Sequence, residues 1–134
     1  ISIARSRSGP SRIIGQIQHW LNANTRVGSR RNIAFHYDLG NAFYALWLDG
    51  SMTYSSACFA TPDQSLIDAQ SEKYRRICVA AQLKAGDHVL EIGCGWGGFA
   101  EVAARDFGCR VTGVTLSVEQ LAYARSRIAK AGLE

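Results

Sequence analysis

Apolar positions along the chain recur first at helical spacing and later in short β-branched runs. Ile13, Ile14, Ile17, Trp20 and Leu21 predict one short amphipathic helix ending by Asn22 to Asn24. Residues 1–12 ahead of it read as a polar, basic arm, and Gly28 to Arg31 as a polar break. Phe43 to Trp47 look helical, with a turn at Asp49-Gly50. After the turn Thr61-Pro62-Asp63, Ser65 is placed to cap a helix, with Asp68 three positions on as a capping-box acid. Leu66, Ala69, Ile77 and Ala81 are its expected buried stripe, and Lys84 to Asp87, with Gly86 as breaker, its expected end. His88–Ile92 then reads as a short apolar strand, Gly93–Gly98 as a glycine-rich turn, and Phe99, Val102, Ala103 and Phe107 as one helix face closed by Gly108. A second strand runs over Arg110–Thr115, and Ser117 caps the last helix, with Gln120 at its third position and Gly132 as its stop. Helix, strand, helix, strand, helix is the opening of a doubly wound α/β domain with parallel strands, preceded here by a helical N-terminal segment. Two parallel strands need cover on both faces and leave an open edge. The domain is therefore expected to be incomplete, with further strands after Glu134.

Charge adds a possible partner class. The 134 residues carry a formal net charge of +4. Arg5, Arg7, Arg12, Arg26, Arg30 and Arg31 all precede the first acidic residue. Such a block is either a solvated arm or a face for an anionic partner. Phospholipid headgroups and nucleic acid both qualify on charge, but no nucleic-acid-binding motif is present, so no nucleic-acid partner is expected. The apolar face of the Ile13–Leu21 helix has two readings of its own, docking on the domain or on a membrane surface. No apolar run approaches the roughly 20 residues that span a bilayer, and the first residues lack the apolar core of a signal peptide. Cys58, Cys78, Cys94 and Cys109 form no C-x-x-C pair, and His19, His36 and His88 are scattered among them. Zinc is not expected, and reduced thiols in a cytoplasmic protein are.

The most specific local signal is Glu91-Ile92-Gly93-Cys94-Gly95-Trp96-Gly97-Gly98, between a strand and a helix. Glycines there allow a ligand to approach the backbone closely at a helix N-terminus. Two patterns fit. Gly93, Gly95 and Gly98 satisfy the G-x-G-x-x-G of dinucleotide sites; Glu91, Gly93, Gly95 and Gly97 satisfy E-x-G-x-G-x-G, which is similar to motif I of class I methyltransferases. A nicotinamide site wants an acid at the end of the second strand. That strand closes on Gly113-Val114-Thr115, so the dinucleotide reading loses ground.

Three segments together carry a family resemblance: RRNIAFHYDLGNAFYALWLDGSMTYSSACF, VLEIGCGWGG and VTGVTLSVEQ. From about Arg30 to the C-terminus the chain resembles the cyclopropane fatty acid synthases, including the mycolic acid cyclopropane synthases. The first segment discriminates, because motif I is shared by very many methyltransferases. The resemblance implies a Rossmann-like methyltransferase fold, with residues 35–134 the N-terminal half of an S-adenosylmethionine-binding domain, behind the basic arm and amphipathic helix that the pattern places in residues 1–34. It implies methyl transfer from S-adenosylmethionine to the cis double bond of an unsaturated acyl chain in a membrane phospholipid, with loss of a proton closing the ring. It also implies a cytoplasmic enzyme, peripheral on the inner membrane face. By position, the cofactor residues are Tyr54 and Ser55; Glu91, Gly93, Cys94, Gly95, Trp96 and Gly97; and Thr115, Leu116, Ser117 and Gln120, with Thr115 and Gln120 standing where other methyltransferases carry the strand-end acid. Tyr37 matches an aromatic position near the same pocket. Aromatic faces such as Tyr37 and Tyr54 suit a desolvated sulfonium or carbocation; the plain alternative is that both are core.

One position departs from the family. Many members carry Cys directly after the Tyr-Ser pair, where it helps to hold a bicarbonate ion; here it is Ser56. Serine can still donate one hydrogen bond, so Ser56 is the candidate for the bicarbonate and base region. A different deprotonation would give a methyl-branched or methylene chain in place of a ring. Two other readings stay open: a non-catalytic fragment of such an enzyme, and a small-molecule methyltransferase with the same cofactor loop.

Overall fold

A computed structural model describes residues 40–134. The basic arm, the Ile13–Leu21 helix and Tyr37 lie outside the described residues. The elements in chain order are α1 (Gly40–Tyr44), α2 (Leu66–Ala80), β1 (His88–Ile92), α3 (Gly98–Phe107), β2 (Arg110–Val114) and α4 (Val118–Lys130). β1 and β2 pair in parallel, from His88 opposite Arg110 to Ile92 opposite Val114. The expected strand–helix–strand unit is therefore present, and α3 is its crossover. Helix α2 packs on α3, while α4 contacts both α3 and α1.

The local signals act as their chemistry requires. Ser65 Oγ accepts from the Asp68 amide at the start of α2, and Ser117 Oγ accepts from the Gln120 amide at the start of α4. Each satisfies one of the amides a helix start leaves without an intrahelical partner. Gly108, with φ 67°, ends α3 in the left-handed conformation. At Asp49-Gly50 the turn forms through Met52 N–H to Asp49 O (2.9 Å) and Ser51 N–H to Asp49 Oδ2 (2.9 Å).

Three expectations need correction. The aromatic helix lies earlier than its pattern suggests: α1 spans Gly40–Tyr44, and Trp47 sits in the turn that follows. Helix α2 stops at Ala80, ahead of Lys84–Asp87, and Ala81 is its C-terminal cap. Its buried stripe also differs. Ala69, Gln70 and Cys78 are buried, whereas Leu66 and Ile77 are nearly half exposed and Ala81 is exposed. The cause is the packing of α2 on α3 through Tyr74 and Cys78, which meet Phe99, Ala103 and Cys109. A count of apolar residues passes over Gln70, whose amide is buried because it is hydrogen-bonded.

Two apolar clusters fix the frame. Cys78, Phe99, Ala103 and Cys109 join α2 to α3, flanked by Val89 and Val111 from the strands. Tyr44, Met52 and Trp96 form the second, flanked by Leu48 and Tyr123. Trp96 thus ties the glycine loop to α1 and α4. Leu90 and Ile92 on β1 are exposed. No helix among the described residues is long and apolar enough to cross a membrane.

Candidate functional site

The C-terminal ends of β1 and β2 open onto a cavity of about 590 Å3, the place where open α/β sheets hold ligands. Its volume lies within the usual range of small-molecule sites, roughly 300 to 1,000 Å3. Its floor is Glu91 to Trp96; one wall is Val114 to Ser117 with Gln120; another is Met52 to Ser55 with Tyr74. Of the cofactor residues expected from the sequence, Tyr54, Ser55, Glu91, Gly93, Cys94, Gly95, Trp96, Thr115, Leu116, Ser117 and Gln120 all line it. Gly97 does not. It caps α3 at φ 80°, and a Cβ there would lie 3.0 Å from the Cβ of Ala124, so this glycine brings α4 close to the loop.

The loop is anchored more firmly than its glycines alone suggest. The Gly93 and Cys94 amides both donate to Val114 O, at 2.8 and 3.0 Å. They are committed to β2, so the loop does not offer every N–H group to a ligand. Trp96 Nε1 donates to Asn41 Oδ1 at 2.7 Å, and Asn41 Nδ2 donates to Glu119 O at 3.2 Å. Arg127 of α4 donates from Nη1 to Trp96 O (3.2 Å) and Ser51 O (2.8 Å), and pairs through Nε with Glu101 at 2.5 Å. Two side chains from distant parts of the chain therefore hold one tryptophan, and with it the floor of the cavity.

Glu91 is the electrostatic focus. Its Oε2 is buried without a hydrogen-bond partner among the described residues, and burial pushes its carboxyl up to about 7. Burial likewise raises Tyr74 and Cys94, and the charge of Glu91 adds to both shifts. A half-buried carboxylate with one buried, unpartnered oxygen on a cavity floor suits a cationic or hydrogen-bond-donating ligand group. Across the cavity, Thr115 Oγ1 donates to Gln120 Oε1 at 3.0 Å and accepts from the Ser117 amide at 3.2 Å. With its oxygen held, the nearly buried Gln120 keeps its NH2 donors for a ligand. A neutral amide thus occupies the shelf where a strand-end acid was missed.

Beyond Tyr54 and Ser55 lies a second hollow, a groove of about 410 Å3. Tyr54 and Ser55 line both spaces. Trp47, Phe59 and Leu66 give the groove an apolar wall, and all three are about half exposed. Ser56 lines the groove and not the main cavity. Tyr54 stacks edge-on against Trp47 at 5.2 Å and lies 5.7 Å from Tyr44. Sequence reasoning missed Asn41, Tyr74 and Arg127. Their contacts cross 55, 21 and 31 residues of chain, from Asn41 to Trp96, Thr53 to Tyr74 and Trp96 to Arg127, and no local pattern signals them.

A strand ending in Glu91-Ile92, a glycine loop, a crossover helix and a second strand ending in a polar shelf define the opening of a class I S-adenosylmethionine-dependent methyltransferase domain. The chain belongs, more narrowly, to the mycolic acid cyclopropane synthetase family, whose model matches residues 24–134. It is 50% identical over 101 residues to a probable fatty acid methyltransferase of Pseudomonas putida, covering 75% of this chain and 26% of that protein. It is 47% identical over 92 residues to the cyclopropane-fatty-acyl-phospholipid synthase of Escherichia coli K12, covering 69% of this chain and 24% of that one. Among solved structures, the mycolic acid cyclopropane synthase CmaA1 complexed with SAH and CTAB superposes with a TM-score of 0.70 at 35% identity, covering 75% of this chain and 35% of that one. The chain spans about a quarter of the length of these two curated relatives.

Proposed function

We propose that the cavity binds S-adenosylmethionine, and that this chain forms the cofactor-binding part of an enzyme that methylates the cis double bond of unsaturated phospholipid acyl chains. The observation that carries the reading is the joint lining of one cavity by the Glu91–Trp96 loop and the Thr115–Gln120 shelf. The residues present fit the cofactor: a carboxylate with one buried, unpartnered oxygen for a cationic group, an amide for hydroxyl groups, and an open backbone at Gly93 and Gly95, where a Cβ would meet nothing within 4 Å. When bound, the cofactor supplies an electrophilic methyl on a sulfonium. Tyr54, at the junction of cavity and groove, offers an aromatic face to positive charge developing there, an attraction of about 2 kcal/mol when desolvated. The wall of Trp47, Phe59 and Leu66 supports an apolar substrate, as does the solved relative's complex with CTAB. Ser56, on the same groove, is the candidate to hold bicarbonate as base. The arginine-rich arm supports action at an anionic membrane surface, at about 1 kcal/mol for each basic residue close to it. On this reading the enzyme is cytoplasmic and peripheral on the inner membrane face.

The direct test is calorimetric titration with S-adenosylhomocysteine beside Gly95→Val. Binding by the parent chain, lost in the variant, is expected, because φ at Gly95 is 53° and a β-branched side chain there distorts the loop. Equal binding by both, or by neither, overturns the assignment of the cofactor to this loop. Methyl transfer to a soluble acceptor, with none to phospholipid vesicles, would instead favour a small-molecule methyltransferase.

A further inference from the structure

Behind the Tyr54–Ser55 wall lies a knot of polar groups. Lys73 of α2 donates from Nζ to Ser55 Oγ at 2.6 Å and to Gln70 Oε1 at 2.6 Å. Gln70, 3% exposed, donates from Nε2 to Ser55 O at 2.8 Å. The ammonium also lies 4.6 Å from the centre of the Tyr74 ring. Backbone and side chain of Ser55 are thereby both held from α2. Among the described residues, Lys73 makes no ion pair. Burial lowers its pKa, and the charge of Asp49 opposes this.

The arrangement settles what Ser55 can offer. A hydroxyl has one hydrogen and two lone pairs. The ammonium can only donate, so it occupies a lone pair and leaves the hydrogen for another acceptor. No described residue accepts that hydrogen, and Ser55 lines the main cavity. A donor backed by an unpaired cation suits a small oxyanion better than a neutral acceptor.

We propose that Lys73 is a positioning residue that, through Ser55, holds a carboxylate-type oxyanion at the edge of the cofactor cavity. Two sources have this chemistry, the cofactor's own α-carboxylate and bicarbonate. The proposal rests on the cofactor reading above. It adds a residue from α2 that faces neither the glycine loop nor the shelf.

The test uses Lys73→Met, which keeps an apolar stem over Tyr74, and Lys73→Arg, which keeps the charge. Each is titrated with S-adenosylhomocysteine and with 5′-methylthioadenosine, which shares the nucleoside and thioether but lacks the amino-acid end. Titrations are run with and without sodium bicarbonate, and circular dichroism checks folding. Without bicarbonate, Lys73→Met is expected to weaken S-adenosylhomocysteine about tenfold, the size of one charge-assisted hydrogen bond. It is expected to leave 5′-methylthioadenosine unchanged, with Lys73→Arg recovering most of the loss. That result identifies the cofactor carboxylate. A loss seen for both ligands only when bicarbonate is present identifies bicarbonate. Equal loss of both ligands without bicarbonate, loss of neither under any condition, or failure of Lys73→Arg to recover binding overturns the proposal. A parent chain that binds neither nucleoside refutes the underlying cofactor reading, and this proposal with it.

Discussion

Replacing Glu91 by Gln should stabilise the chain at pH 8 and leave its stability at pH 4 almost unchanged. The carboxyl titrates at about 7 in the fold, against 4.5 in an exposed chain. The native state therefore holds its proton over a pH range in which the unfolded state has already released it. Stability must fall as pH rises from about 4.5 to about 7, and the full penalty persists above that. Each pH unit of the interval corresponds to about 1.36 kcal/mol, or about 3 kcal/mol before screening. The side chain is only partly buried, and solvent screening reduces this to about 1 to 2 kcal/mol. Glutamine has nearly the same shape and no charge to desolvate, so it removes the penalty. Urea unfolding of both proteins at pH 4, 5, 6, 7 and 8 reads the difference directly, and other titrating groups cancel between them. A constant difference across that range, or a variant less stable than the parent at pH 8, would refute the account of Glu91 as a desolvated, unpartnered acid. The substitution should also weaken S-adenosylhomocysteine, which would show that the destabilising group serves the ligand.

Asn41→Ala removes the acceptor of the Trp96 indole N–H, which is 2.7 Å away on a tryptophan only 4% exposed. Losing this hydrogen bond from a buried donor is expected to cost about 1 to 3 kcal/mol, readable as a lower urea midpoint with an altered tryptophan emission; an unchanged midpoint would refute a stabilising role for the contact. Gly97→Ala meets two obstacles at once, a φ of 80° and an Ala124 Cβ at 3.0 Å. The left-handed conformation alone costs about 1 to 2 kcal/mol, and the contact forces α4 off the loop. The expected loss is about 2 to 4 kcal/mol by urea unfolding, and a loss below 1 kcal/mol would mean that α4 yields freely.

The uneven legibility of this chain follows from the range of the interactions. The caps at Ser65 and Ser117, the β1 strand, the glycine turn and the αL stop at Gly108 are written within a few residues of one another, and each forms where its local chemistry places it. The buried stripe of α2 departs from its apolar spacing because burial there follows a partner. Gln70 goes inside for its bonds to Ser55 and Lys73, while Leu66 stays half exposed beside the groove. The same division runs through the site. The residues expected to touch the cofactor lie in two short segments and in Tyr54-Ser55, and all but Gly97 meet in one cavity. The residues that hold those segments in place, Asn41, Gln70, Lys73 and Arg127, come from three helices and act through groups that hydropathy scores only as polar. Substitutions in the first set, apart from the core residue Trp96, should therefore change ligand affinity more than stability. Substitutions at Asn41 or Arg127, whose contacts lie behind the cavity floor, should change stability first and affinity only through it. Lys73 is the informative exception, because its hydrogen bond to the cavity lining ends on a hydroxyl that a ligand can reach.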